Sequence, residues 1–258
     1  MPRKAAAAEK SPARSGPARS SPARSSPARS YGGLAAEERR EQRRQRFIEA
    51  GIQVFGTRGL PNSTMRDLCA EARLTDRYFY ESFRRVEDVF DLVYAELSSC
   101  LIVRLGTAMM GAPLQMDAVA EAGLRAFFGF VQEDRRRARI LLVDSMGVFF
   151  SAPQGSELPI GEYVDLLRQL YQALYPQAEG LDIDVDFVVK SLLGMTINSA
   201  ALWAHDGFDK SLDEVVRHNL FAWRGLDGWI RELIEQRASA QVAQAKKPRP
   251  AARRPRVA

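Results

Sequence analysis

Between residues 35 and 237 the apolar side chains of this chain recur at intervals of three and four, and nowhere do they alternate with polar ones as in a half-buried strand. The pattern predicts helices throughout. In the first, from about 35 to 57, Ile48, Gly51, Ile52 and Phe55 stand at i, i+3, i+4 and i+7 and share one face. Gly59 follows where a left-handed cap would stop that helix. A short second helix is expected over 64–72, with Thr64 as N-cap and Asp67 three residues on, a weaker form of the capping box. Arg73 and Leu74 make a tight joint, Thr75 can cap a third short helix over 76–83, and a fourth runs from near Val86 to about Met110. Two short helices joined across a tight turn, after a longer one, form the helix-turn-helix arrangement. Further helices are expected near 115–132, 134–148, 157–175, 183–205 and 211–237, so the fold class is all-α.

The third helix carries the most unusual surface. In "LTDRYFYESF", residues 74–83, polar groups are threaded between four aromatic rings. Helical spacing puts Phe79 and Phe83 on one face with Leu74 and, across the joint, Leu68. Thr75, Asp76, Arg77, Tyr78 and Tyr80 fall on the other faces. Those are hydrogen-bonding groups on stiff stems, suited to base edges and phosphates in a major groove.

Charge sharpens this organisation. The formal net charge is +5, but residues 1–30 hold +6 and residues 238–258 another +6, which leaves −7 between them. The first stretch contains a five-residue repeat, "SPARS GPARS SPARS SPARS", whose prolines forbid a regular helix and whose other residues offer nothing to bury. The domain expectation is a disordered basic tail over 1–34, a DNA-binding part over 35–85, a helical regulatory and dimerisation part over 86–237, and a second disordered basic tail over 238–258. Cys69 and Cys100 both lie in apolar helical patterns and read as reduced, buried thiols. Without a signal-peptide pattern or an apolar run long enough to span a bilayer, the expected location is cytoplasmic, with no membrane partner.

From Arg44 to Leu92 the chain resembles the DNA-binding region of the tetracycline-repressor (TetR) family. The resemblance rests on "FIEAGIQVFGTRG" in the first helix, on Ser63-Thr64 before "MRDLCAEA", and on Thr75, Tyr80 and Phe83 at ungapped spacing in the third. It implies a homodimer on double-stranded DNA with a palindromic operator, and a divergent C-terminal domain that binds a small-molecule effector releasing the DNA or, in some members, nothing known. Residue by residue it implies that Ser63 and Thr64 open the second helix near a phosphate and that Thr75 caps the recognition helix. Arg77 and Tyr78 would face bases and Tyr80 a phosphate, while Asp76 could accept from a cytosine amino group or, as the favoured role, orient Arg77. The sequence departs from the family pattern at Arg73, where a glycine is usual, at Arg77, where a small residue is common, and at Val86, where a lysine is usual. Arg84 or Arg85 could take over that lysine's phosphate contact.

No nucleophile elbow, phosphate loop or dinucleotide fingerprint occurs, and His205 and His218 have no ligand-spaced partners, so neither an enzyme, a metal site nor a cofactor is expected. "DRRRARI", residues 134–140, reads as a solvated helix start. Aromatic and Met residues with single amides suggest a pocket for a lipophilic ligand lined by Phe127, Met146, Phe150, Met195, Asn198 and Trp203. The last two long helices, with Gly194, Ser199, Ala200 and Ala201 permitting close approach, suit packing against a second copy. A ligand-relieved, sequence-specific repressor is thus the leading expectation. The alternative is an architectural DNA-associated dimer whose affinity comes from its basic tails.

Overall fold

A computed structural model describes residues 28–147 and 160–245, with side chains from 36 to 147 and from 160 to 244. The repeat's prolines and all of it up to residue 27, the last thirteen residues and Phe150 lie outside the described residues. The chain divides into two compact units, Met1–Glu41 and Gln42–Ala258. In the first, the described part is helical and residues 36–41 are exposed.

The helices are α1 (Ala28–Arg58), α2 (Met65–Ala72), α3 (Asp76–Tyr80), α4 (Val86–Met110), α5 (Met116–Glu133), α6 (Arg135–Ala138), α7 (Gly161–Leu174), α8 (Val185–His205) and α9 (Leu212–Ala245). α6 runs on as a π-helical turn over Arg139–Asp144, and short 3-10 turns occupy Leu60–Asn62 and Pro176–Ala178. Among the described residues there is no strand, as the periodicity predicts. Three boundaries differ from expectation. α1 begins at Ala28, immediately after the last proline of the repeat, past which no proline ring blocks the helix. α9 continues to Ala245 because Ala-Gln-rich sequence without proline keeps good helix propensity past residue 237. α3 ends at Tyr80, leaving Phe83 in the turn before α4.

α5 lies at the centre of the second unit and packs most extensively on α9 and α4. It buries Val119, Ala120, Leu124, Phe128 and Val131, apolar on more than one face as a central helix must be. α1 crosses α4 closely at Gly51, where an added Cβ would stand 2.7 Å from Val93 Cγ2. Cys69 is buried as expected, but Cys100 is exposed on α4 beside Val103. α4 is apolar around much of its circumference, so its sequence pattern does not mark which side faces outward.

Candidate functional site

Three phenylalanines hold the short helix α3 in place. Phe47 of α1 meets Phe79 edge to face at 5.5 Å and Phe83 at 5.7 Å, and all three are buried. A five-residue helix has no stability of its own, so this contact and Leu68 beneath it fix the orientation of α3. α2 starts on a complete capping box. The Asp67 backbone N–H donates to Thr64 Oγ1 at 3.3 Å, while Asp67 Oδ2 accepts from the Thr64 backbone at 2.9 Å and from its hydroxyl at 2.6 Å. The joint turns at Arg73, whose φ of 53° and ψ of 43° are left-handed. The position usually held by glycine therefore keeps its geometry, and Arg73 carries the strain, on the order of 1–2 kcal/mol. Arg46 of α1 donates to the Ala72 carbonyl at 2.5 Å and closes the end of α2.

The outer face of α3 differs in detail from the expected one. Thr75 occupies the N-cap position but its hydroxyl makes no cap bond. Asp76 Oδ1 accepts the Arg77 backbone N–H at 2.9 Å, and the Arg77 guanidinium leans instead towards Glu81 at 3.6 Å. Asp76 therefore ties down the backbone rather than the charge. Glu81 also receives Arg43 at 3.1 Å, and Arg43 lies over the Tyr78 ring at 4.6 Å. Tyr78 is consequently half-buried, whereas Tyr80 stands out with 62% of its surface exposed. Ser63 turns inward, donating to the Gly59 carbonyl at 2.7 Å. Arg84 and Arg85 are exposed at the start of α4, where Asp88 accepts both of their backbone N–H groups at 2.8 and 3.2 Å. Val86 is partly buried against the core, so the two arginines are the cations at that helix start. Sequence reasoning missed Arg43, Arg46 and Glu81, which shape this face from outside the motif.

Asp67 and Asp88 titrate below the ordinary carboxylate value, Asp67 first through the Thr64 hydroxyl and Asp88 first through the Arg84 backbone N–H. A carboxyl held low in the fold contributes stability present above its unfolded pKa and lost as pH falls through the folded one. Acidification below about pH 4 should therefore loosen α2 and the start of α4. Far-UV circular dichroism against pH should show Asp67→Asn and Asp88→Asn flattening that acid limb; unchanged limbs would contradict the assignment.

The C-terminal end of α1 is clamped to α6. Arg136 is held by Asp134 through Nη2–Oδ2 at 2.7 Å and reaches Gln53 Oε1 at 2.6 Å. Asp144, at the end of the π-helical turn, accepts the Leu60 backbone N–H at 2.9 Å from a buried position. Burial pushes the Asp144 carboxyl up, partly offset by that N–H and by Arg139. "DRRRARI" is thus a packing surface, not the solvated helix start its charges suggest. Gly59 is confined to glycine by φ 81° and ψ 155°, which is not the left-handed cap expected of it.

α4, α5, α7, α8, α9 and the π-helical turn line a partly open apolar cavity of about 120 Å³. Leu105, Leu124, Leu142, Leu167, Ile197 and Trp223 are among its walls, with Tyr94, Tyr163, Tyr171 and Thr196 supplying the hydroxyls. Phe127 lines it as expected. The other described candidates do not. Trp203 is buried against Phe128 and Phe208 and donates its indole N–H to the Lys210 carbonyl at 3.0 Å. Asn198 is exposed, and Met146 and Met195 are half-buried away from the lining. What sequence could have shown is the stripe Tyr163, Leu166, Leu167, Leu170, Tyr171 and Leu174 on α7, whose spacing lines one wall.

By sequence, neither a protein-family model nor a curated protein matches the chain. By structure, many solved chains do. The fatty acid degradation regulator FadR of Bacillus halodurans superposes with a TM-score of 0.58 at 16% identity, over 69% of this chain and 97% of that one. A FadR of Bacillus subtilis, solved in complex with stearoyl-CoA, gives 0.59 at 15%, over 69% and 96%. A TetR-like regulator from Rhodococcus sp. RHA1 gives 0.53 at 22%, over 72% and 96%. This chain has the TetR fold. In the structure α2 and α3 are two short helices joined by the tight turn at Arg73, and α4–α9 make up the larger helical remainder. The TetR fold thus agrees with the resemblance carried by residues 44–92.

Proposed function

We propose that this chain is a homodimeric, sequence-specific DNA-binding regulator of the TetR type, a repressor released from a palindromic operator by a lipophilic small molecule. Residues 35–85 are its DNA-binding part and 86–237 its regulatory part. One observation carries the reading: Thr75, Arg77 and Tyr80 are exposed together on a helix whose opposite face is locked to Phe47, with Arg84 and Arg85 exposed just beyond. An outward set of hydroxyl and guanidinium groups on a rigid short helix is what groove reading requires. Tyr78, Asp76, Arg73, Ser63 and Thr64 shape or support that face. The cavity supplies the effector site. Leu141 and Leu142 line it, and Asp144 two residues later holds Leu60, so ligand-driven movement of the π-helical turn would reach the DNA-binding part.

Selection of bound fragments from random DNA should return a palindrome, and deletion of residues 1–30 should retain it. Tail-driven binding would instead lose affinity with a log–log salt slope of about −0.9 per neutralised phosphate, without sequence preference. Arg77→Ala should relax preference at one base step by about 1–3 kcal/mol, while Tyr80→Phe should weaken all sites alike. Binding to a panel of base-substituted operators checks this, and equal losses for both variants would count against the assignment.

The dimer reading rests on α8 and α9. α8 has the length and composition of a membrane span, yet only 22% of its most apolar window is buried. Phe187, Ser191, Gly194, Asn198 and Leu202 form an exposed stripe on α8, and Phe221, Gly225 and Trp229 another on α9. Self-packing of these stripes would remove exposed rings from water. Phe221→Glu is expected to convert a dimer into a monomer in sedimentation equilibrium and to abolish binding to the full palindrome. A variant that stays dimeric would move the interface elsewhere.

A further inference from the structure

The π-helical turn after α6 governs how the end of α1 is held. At the close of the turn the Ser145 backbone N–H donates to the Ile140 carbonyl, five residues back, where an α-helix would use Leu141, four back. The Leu141 carbonyl receives the buried Ser145 hydroxyl instead, at 2.6 Å. A π turn closes on its fifth residue, which stacks Arg139 and Asp144 one above the other. Both grip the same short segment. Arg139 Nη1 donates to the Thr57 carbonyl at 3.3 Å, and Asp144 Oδ2 accepts the Leu60 N–H at 2.9 Å. The Arg139 guanidinium also lies against Gly59, where an added Cβ would stand 2.5 Å from Nη2. In an α-helix, positions five apart point about 140° away from each other, so the two-point grip belongs to the π register. The same turn supplies cavity wall through Leu141 and Leu142, while Val143 is exposed.

We infer that this turn is a register switch: an occupant of the cavity drives it from π to α, and the grip on Thr57 and Leu60 opens. The inference rests on the cavity being the effector site. Conversion exchanges one backbone bond, Ser145 N–H moving from the Ile140 carbonyl to that of Leu141. It gains ordinary α-helical geometry and loses the grip. Leu141 and Leu142 change direction with the register, so an occupant touching them makes different contacts in the two states. That difference is the condition for shifting their populations. The released segment leads through Ser63, bonded to the Gly59 carbonyl, into the N-cap of α2. Opening the grip therefore loosens the entry to α2.

Amide hydrogen exchange of Leu60 on the full chain, with the Phe128 amide of α5 as reference, reads the grip directly. Ser145→Ala removes the hydroxyl that holds the π register and should speed Leu60 exchange about tenfold, as Asp144→Ala should by removing the acceptor. Deleting Val143 sets Arg139 and Asp144 four apart, on one face of an ordinary α-helix. The grip should then persist and Leu60 exchange stay slow. Ala120→Leu extends a side chain from the α5 wall of the cavity and stands in for an occupant. It should speed Leu60 exchange about tenfold, and deletion of Val143 should abolish that effect because the α register then carries the grip. Unchanged Leu60 exchange in Ser145→Ala or in Ala120→Leu would overturn the inference. So would fast exchange in a folded Val143 deletion, or an equal rise from Ala120→Leu with and without Val143, which general loosening of the core would give. If circular dichroism shows the deletion unfolded, Ser145→Ala and Ala120→Leu decide. These measurements use neither DNA nor ligand, so their failure leaves the DNA-binding reading standing, and failure of operator selection leaves them standing.

Discussion

Gly56→Ala is expected to destabilise the fold although alanine is the better helix former. An added Cβ at Gly56 would lie 2.2 Å from Arg136 Cβ and 2.8 Å from its Cα. Neither atom can swing away, because one is backbone and the other is the root of the side chain. α1 and α6 would have to part, stretching Arg136–Gln53 and Asp144–Leu60. Overpacking costs about 1–3 kcal/mol and occasionally more, against about 1 kcal/mol gained in helix propensity. With backbone in the way, the upper part of that range applies and the net loss should be about 2 kcal/mol. Gly106 is the control. It lies inside α4 with nothing near a built Cβ among the described residues, so Gly106→Ala should stabilise by up to about 1 kcal/mol. Arg136→Ala keeps the obstructing Cβ, so it should not rescue Gly56→Ala. Urea unfolding of the four variants decides the matter, and a stable Gly56→Ala protein would mean that α1 and α6 are not in firm contact.

Phe47→Ala should cost more and should cost DNA binding first. Phe47 is fully buried and touches both Phe79 and Phe83, the two rings that hold α3 and the turn after it. Phenylalanine-to-alanine changes in cores cost about 3–5 kcal/mol through lost transfer energy and the cavity left behind. α3 cannot collapse into that cavity and keep its helix, because its five residues depend on tertiary contact. Operator affinity should therefore fall by at least about a hundredfold under conditions where most far-UV ellipticity persists, since α4, α5 and α9 do not depend on Phe47. Gel-shift titration alongside circular dichroism measures both. A variant with intact operator binding would show that α3 is held by something other than this cluster.

The contrast between these sites shows how legible the sequence was. Helical spacing located the buried face of Phe79 and Phe83, and the order of residues over 44–92 carried the TetR resemblance by itself. At Arg73 the sequence allowed either an uncommon positive-φ residue or a slightly remodelled joint, and the structure has the positive, left-handed φ. Tyr78 could not be placed by spacing, because its cover, Arg43, comes from α1, thirty-five positions earlier. The cavity was misassigned for the same reason. Phe127 and Trp203 look alike in a helical pattern, yet one faces the cavity and the other packs on Phe128 and Phe208.

Period and local chemistry act between residues within a turn or two of each other. By themselves they determined that the described chain is helical, where most of its elements begin to within a few residues (α1 starts seven earlier than expected), and which face of α3 turns inward. Only the tertiary structure decided which apolar residues surround a cavity and which arginines pack instead of facing solvent. Those outcomes depend on contacts between helices far apart in sequence, and a helix's own periodicity does not say which neighbour will cover which side.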